Sequence, residues 1–191
     1  MHDNHATNSL SPLVSADASP KWSDKGSSIR RWHALFVRSN QEKRIAQQLA
    51  SREVECFVPT RSAISQWADR RVRLERPLFP GYVFVRVAPA DRPRVLHVSN
   101  VVGLVRTGTE PAVISCEEIE WIRRGIAYGK AESCAAWNEG EMVTITGGPM
   151  AGMRGVLLRV QNRARLLIRL DAIARAFTVD VEDSFVARIG A

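Results

Sequence analysis

Residues 77–87 read PLFPGYVFVRV, and this stretch decides the fold of the first half of the chain. Pro80 and Gly81 predict a tight turn, and Tyr82 begins a run of aromatic and β-branched residues that is typical of a strand. Phe79 and Tyr82 flank the turn, which fixes the directions of both rings at little entropic cost. The turn can therefore serve either as core packing or as a rigid docking surface.

The residues around this stretch alternate between strand and helix patterns. Residues 40–52 place apolar side chains at helical spacing, with Ser39 or Asn40 as the N-cap, and Ser115 with Glu118 forms a second capping signal. Residues 61–76 are rich in arginine and predict a basic hairpin or loop. The alternation predicts a small α/β sandwich in an α+β chain. Strands are predicted at 32–37, 54–59 and 101–106, and helices at 40–52, 91–99 and 115–128.

The pattern changes after Gly140. Residues 147–156 read GGPMAGMRGV, a glycine-rich turn that leads into a strand. Five short β-rich runs follow Gly140, so the sequence predicts a small β-barrel. Residues 166–175 are also compatible with a helix, but the β-branched residues favour the barrel. The runs lie at 142–146, 156–160, 165–170, 177–181 and 184–188.

These patterns divide the chain into four segments. Residues 1–29 are polar, lack the features of a signal peptide and predict a disordered leader. Residues 30–129 form the predicted sandwich, residues 130–139 a linker and residues 140–191 the barrel. The chain has a net charge of +7. Residues 30–129 carry 17 lysines and arginines against 10 acidic residues, so a polyanion such as nucleic acid is a candidate partner of this segment.

Several function classes have no support in the sequence. There is no GxSxG, HExxH or CxxC motif, so we predict no catalytic residues, no metal site and no cofactor. The three cysteines cannot all pair with one another and fit a reducing compartment, the cytoplasm. No apolar run is long enough for a membrane helix.

Two motifs together carry a family resemblance. Residues 77–85 look like the signature of the NusG amino-terminal domain, and residues 147–156 look like a KOW motif, which opens an SH3-like barrel. In this order and spacing, the chain resembles the NusG family of transcription elongation and antitermination factors, including its RfaH-like paralogues. The resemblance implies an amino-terminal domain that binds RNA polymerase, followed by a KOW barrel.

The resemblance also implies binding residues. Phe36, Phe79 and Tyr82 match positions that meet the clamp helices of the largest RNA polymerase subunit. Asp91 and Arg92 lie where the family reaches the opposite side of the polymerase cleft. Residues that match the DNA-contacting region of RfaH-like members would touch the non-template strand; they are Arg38, Arg44, Gln48 and Arg52.

The barrel's partner is implied by a loop. Residues 172–175 read AIAR where NusG carries an Ile-Phe-Gly-Arg type sequence that contacts a small-subunit ribosomal protein or Rho. Ile173 and Arg175 are the matching residues, and the loss of Phe and Gly favours a specialised paralogue.

The sequence therefore predicts a monomeric, non-enzymatic factor that bridges the polymerase cleft and suppresses pausing and termination. Two alternatives stay open. One is a housekeeping NusG-type factor that also assists Rho-dependent termination, and the other is a ribosome-associated KOW protein that binds RNA.

Overall fold

A computed structural model describes residues 28–66, 71–128, 131–134, 140–160 and 163–189. All but the last two residues of the predicted leader lie outside these ranges. The described residues from 30 onward form two halves, an N-terminal half that ends at residue 128 and a C-terminal barrel.

The N-terminal half contains eight strands and three helices among its described residues. A 3₁₀ turn at Pro89–Asp91 leads directly into the second helix. The strands are Arg31–Val37 (β1), Glu55–Phe57 (β2), Thr60–Gln66 (β3), Arg71–Pro77 (β4), Tyr82–Val87 (β5), Val101–Leu104 (β6), Arg106–Thr107 (β7) and Glu110–Pro111 (β8), and the helices are Glu42–Ala50 (α1), Arg92–Leu96 (α2) and Cys116–Ala127 (α3).

The central sheet of this half is antiparallel, with the strand order β2-β5-β1-β6. Successive side chains of a strand point to opposite faces, and here both faces are covered. Leu35 and Val83 pack with Ile45 of α1 on one face. Ala34 and Phe84 belong to the hydrophobic cluster on the other face, which also contains residues of α3. Burial on both faces explains why β1 and β5 read as continuous apolar runs.

The structure corrects two helix boundaries. Neither Ser39 nor Asn40 caps α1, because Asn40 adopts a left-handed conformation at φ 65° and turns the chain before the helix begins. Gln41 is the N-cap and makes no side-chain capping bond. The helix predicted at 91–99 is shorter, since α2 ends at Leu96. The predicted cap of α3 is confirmed: the Glu118 N–H donates to Ser115 Oγ at 3.0 Å, and the Ser115 N–H donates to Glu118 Oε2 at 2.8 Å.

Strands β3 and β4 form a separate two-stranded hairpin. The arginine-rich segment 61–76 is therefore a hairpin, with residues 67–70 at its tip outside the described ranges. Arg61 and Arg76 lie directly opposite one another and are both exposed.

The barrel is a six-stranded antiparallel sheet with five strands of its own and one from the predicted linker. Two 3₁₀ turns, Asp171–Ile173 and Asp183–Phe185, connect its last strands. The strands are Glu132–Cys134 (β9), Glu141–Ile145 (β10), Arg154–Val160 (β11), Arg163–Leu170 (β12), Arg175–Val181 (β13) and Val186–Arg188 (β14), in the order β14-β10-β11-β12-β13-β9.

One glycine of the KOW motif is required by close packing. A Cβ on Gly155 would overlap the Leu167 carbonyl oxygen of the adjacent strand. Gly148 and Gly152 adopt positive φ angles of 72° and 83°, which favour glycine. Residues 166–170 belong to β12, residues 171–173 form a 3₁₀ turn and Arg175 begins β13, so this segment does not adopt the helical alternative.

His33 of β1 is a buried titratable group of the central sheet. Its side chain is fully buried, and its Nδ1 lies 2.9 Å from the Ala112 carbonyl oxygen. Burial lowers the pKa of His33; the hydrogen bond to Ala112 opposes this shift, and the positive charges of Arg92 and Arg31 add to it.

We predict that this protein loses stability in mild acid because of His33. Below about pH 6.5 the unfolded chain binds a proton at this residue. The folded chain does not until a lower pH, so the free energy of unfolding falls as pH falls, by at most about 1.4 kcal/mol per unit. Chemical denaturation of wild type and His33→Gln across this range tests the effect. The exposed His97→Gln variant is the control, and equal pH slopes in all three proteins would contradict the prediction.

Candidate functional site

The turn at residues 79–82 is fixed by contacts from two neighbouring elements. Gly81 has a φ of 84°, which a side chain would strain. Its N–H donates to Glu42 Oε1 of α1 at 2.7 Å, and its carbonyl accepts the Val37 N–H of β1 at 2.8 Å. The turn is therefore held rigidly between the first helix and the first strand.

Aromatic rings surround this turn. The Phe36 and Tyr82 ring centroids are 5.7 Å apart, and Phe79 meets Phe84 edge to face at 6.1 Å. Such aromatic pairs add favourable energy beyond the area they bury. The three residues predicted to meet the clamp helices, Phe36, Phe79 and Tyr82, thus come together around one rigid turn.

The barrel covers this aromatic group. Phe177 of β13 packs against Phe79 with a centroid separation of 6.3 Å and an interplanar angle of 77°. As a result Phe79 and Tyr82 are only 1% and 2% exposed, and Phe36 is half-buried. The aromatic residues that the sequence predicts to form a docking surface are thus covered by the barrel in this structure.

A polar contact accompanies the ring packing. The Arg175 side chain of β13 lies close enough to the Tyr82 hydroxyl to affect its pKa. Burial raises the pKa of Tyr82, and the nearby Arg175 guanidinium opposes that shift. Ile173, the other residue predicted to bind a KOW partner, is 2% exposed and lies in the same hydrophobic cluster. This hydrophobic cluster therefore contains buried residues from both halves of the chain.

Helix α3 makes the second contact between the halves. A Cβ on Gly125 would lie 3.1 Å from Val179 Cγ1 and 3.2 Å from Phe177 Cε2, so the helix approaches β13 more closely than a larger residue permits. The Arg124 guanidinium, from the residue before Gly125, donates to the Ala151 carbonyl at 3.0 Å and to the Pro149 carbonyl at 3.4 Å. The KOW turn is thus bound to the end of α3.

The predicted DNA-contacting residues lie on a different surface. Arg44, Gln48 and Arg52 recur at four-residue intervals along α1 and its C-terminal turn, which places them on one side. Arg44, Arg52 and the preceding Arg38 are exposed, and Gln48 is half-buried. We call these four residues the basic stripe.

Asp91 and Arg92 differ in accessibility. The Asp91 side chain is 30% exposed and pairs with Arg94 at 3.6 Å, whereas Arg92 is only 9% exposed. Arg92 lies near enough to His33 to affect its pKa. In this arrangement Arg92 offers little surface to a partner.

Sequence reasoning missed Glu42 as part of the site. Its carboxylate is 2% exposed and accepts the Gly81 N–H. A signal was present, because residue 42 falls in helical register with the buried Ile45 and Leu49, and a charged residue on that face needs a specific partner. Phe177, Arg124 and Gly125 carried no comparable signal, since their roles depend on how the two halves meet.

The described ranges contain neither a metal cluster nor a membrane-spanning helix. Within them, no group of three or more His, Cys, Asp and Glu residues could hold a metal ion. None of their helices is both long and apolar enough to span a membrane.

Comparisons with known proteins give a consistent result. The family model described as transcription termination factor nusG matches residues 30–123. The transcription termination/antitermination protein NusG of Haemophilus influenzae is 30% identical over 177 residues, covering 85% of this chain and 96% of the relative. Its counterpart in Escherichia coli K12 is 29% identical over 174 residues, covering 83% and 96%. A solved structure of Thermotoga maritima NusG, which concerns domain interaction, is 21% identical, covers 84% of this chain and 98% of that one, and has a TM-score of 0.53.

We predict that Gly125→Val disrupts the contact between the halves. Overpacking at a close contact costs about 1–3 kcal/mol, and the barrel relieves it by moving away from α3. Ala127→Val, at an exposed position of the same helix, adds a branched side chain without a clash. NMR shifts of the Phe79 and Tyr82 rings should change strongly in the first variant and little in the second; similar small changes in both would contradict this.

Proposed function

Because this chain belongs to the NusG family of transcription termination and antitermination factors, we propose that it binds RNA polymerase through the aromatic turn at 79–82 and suppresses pausing and termination. The observation that carries the proposal is the rigid placement of Phe36, Phe79 and Tyr82 around that turn. Aromatic anchors with few rotatable bonds form strong interface hot spots. The clamp helices of the largest polymerase subunit are the proposed partner surface.

The proposed mechanism requires no chemical step. A factor that binds both sides of the polymerase cleft stabilises the closed clamp. The segment of Asp91 and Arg92 is the proposed second side, with the partly exposed Asp91 as its accessible residue because Arg92 is buried. If the factor binds the elongating state more tightly than the paused state, it shifts the population toward elongation. A difference of about 1.4 kcal/mol changes that equilibrium tenfold.

The basic stripe provides the nucleic-acid part of the proposal. Arginine and glutamine side chains can contact phosphates and base edges of a displaced DNA strand. Support comes from the exposure of Arg38, Arg44 and Arg52. The proposed ligand is the non-template strand of the transcription bubble.

Polymerase binding in this scheme requires the barrel to leave the aromatic turn. Phe79 and Tyr82 are buried against Phe177 and Arg175, so the binding-competent state is an open one. The apparent affinity then equals the intrinsic affinity multiplied by the open fraction. Opening also frees Ile173 and Arg175 for a second partner, either a small-subunit ribosomal protein or Rho.

The loop at 172–175 favours a specialised, RfaH-like role over the housekeeping one. It lacks the Phe and Gly of the NusG pattern, and Ile173 is buried. Binding of purified Rho to the full chain separates the two roles, because a housekeeping factor binds Rho. A polymerase partner places the protein in the cytoplasm.

Two alanine substitutions in one aromatic pair test the docking surface with opposite expected results. Phe79→Ala removes a ring that meets polymerase and should lower polymerase affinity and abolish faster elongation. Phe177→Ala removes the covering ring and should raise polymerase affinity, where a tenfold rise corresponds to about 1.4 kcal/mol. Both are compared with wild type in single-round elongation on a template with pauses and a terminator.

Two controls make the comparison interpretable. Arg175→Ala weakens the same contact without removing a core ring and should act in the same direction as Phe177→Ala. Circular dichroism establishes that the Phe79→Ala variant remains folded. If a folded Phe79→Ala protein binds polymerase as well as wild type, the aromatic turn is not the docking site.

A further inference from the structure

Arg52 and Arg94 form an unusual reciprocal pair. Arg52 Nη1 donates to the Arg94 carbonyl at 2.9 Å, and Arg94 Nη2 donates to the Arg52 carbonyl at 3.1 Å. These bonds tie the chain just after α1 to α2. Each guanidinium thus lies at the backbone of the other arginine, and both carry a positive charge on the exposed surface where α1 and α2 meet.

The charges of this pair are incompletely neutralised by their neighbours. Backbone carbonyls accept hydrogen bonds but carry no net charge. Asp91 is the carboxylate paired with Arg94, at 3.6 Å, and both side chains are partly in solvent, at 30% and 56% exposure. An exposed ion pair of this length contributes little. Glu53 is also exposed next to Arg52, but no ion pair joins the two among the described contacts.

The pair is suited to bind phosphate groups. Each guanidinium has five N–H donors, and the carbonyl contacts use one donor from each group. The bonds to carbonyls restrain the side chains before a ligand arrives, so less conformational entropy is lost on binding. Arg94 was absent from the predicted stripe because it belongs to a different helix.

We propose that Arg94 and Arg52 form a phosphate-binding pair that extends the basic stripe from α1 onto α2, along the path of a single-stranded nucleic acid. The inference deepens the nucleic-acid part of the proposed function and rests on it. Arg44 and Arg52 are eight residues apart, which at helical rise is about 12 Å along α1 and the turn that follows it, before Arg94 extends the stripe.

The alternative role of Arg94 is purely structural, as a bridge between two helices. Two substitutions separate the roles. Arg94→Gln removes the charge and shortens the side chain, so it weakens both a phosphate contact and the bond to the Arg52 carbonyl. Arg94→Lys keeps the charge and loses the planar fork that can serve a carbonyl and a phosphate together. A phosphate contact therefore lowers the salt slope of binding in the Gln variant alone, whereas a purely structural bridge lowers the melting temperature and leaves the slope unchanged in both variants.

The test is the salt dependence of binding to a mixed-sequence single-stranded DNA oligonucleotide, measured by fluorescence anisotropy with the full chain. Each phosphate contact on a single strand contributes about 0.7 to the slope of log affinity against log salt. Arg94→Gln should therefore reduce the slope by about 0.7. The affinity should fall about eightfold at ~0.05 M salt and about threefold at ~0.2 M. Arg94→Lys should keep the wild-type slope.

Arg106→Gln is the matched control. Arg106 also donates to a backbone carbonyl, that of Thr109 at 2.8 Å, but it lies on β7, outside the basic stripe. Its substitution should leave the slope unchanged. Thermal melting of each variant shows whether the fold is intact.

The outcomes distinguish the inference from the function on which it rests. If Arg44→Gln lowers the slope and Arg94→Gln does not, the stripe binds nucleic acid without Arg94 and the inference is wrong. If neither substitution changes the slope, or wild type does not bind the oligonucleotide, both the inference and the DNA part of the proposed function fail. Polymerase docking is measured separately by the Phe79 and Phe177 variants.

Discussion

The contact between Phe79 and Phe177 makes one hydrophobic cluster from residues of two halves that each have their own sheet. Burying a phenylalanine side chain is worth about 1.5–3 kcal/mol, so this contact is strong enough to define the arrangement and weak enough to be replaced by another apolar surface. The side chains with the most suitable chemistry for docking are also those that hold the halves together. Stability of the closed form and availability of the docking surface therefore oppose each other.

The central sheet makes this opposition possible because it is covered on both faces. α1 covers one face through Ile45 and Leu49. The barrel and α3 cover the other, where Phe84 and Tyr82 lie. Loss of the barrel exposes apolar rings on only one face, and the Glu42 carboxylate bonded to Gly81 keeps the turn in place from the α1 side. The N-terminal half can therefore keep a defined docking geometry without its cover.

Much of the fold could be predicted from local sequence signals. The Pro80-Gly81 turn, the Ser115 capping box and the strands of the barrel each depend on residues close in sequence. The predicted start of α1 at Ser39 or Asn40 was wrong, because tertiary contacts, including that of the buried Glu42 with Gly81, override the local capping preference. The burial of Phe79 and Tyr82 could not be predicted, since it depends on Phe177 nearly a hundred residues away. The pairing of Arg52 with Arg94 likewise depends on how α1 and α2 approach each other.

Pairing of β9 with β13 limits how far the halves can separate. While Ala176 stays paired with Cys134, only residues 128–131 connect α3 to the barrel, and a chain of that length spans about 17 Å at most. Release of β9 extends the connection to β10 and raises that limit to about 50 Å. The maximum distance between the barrel and α3 therefore has two values, and pairing of the three-residue strand β9 determines which of them applies. While β9 stays paired with β13, a barrel that has left the aromatic turn at 79–82 remains close to it. The barrel then competes at high local concentration with any partner that binds this turn.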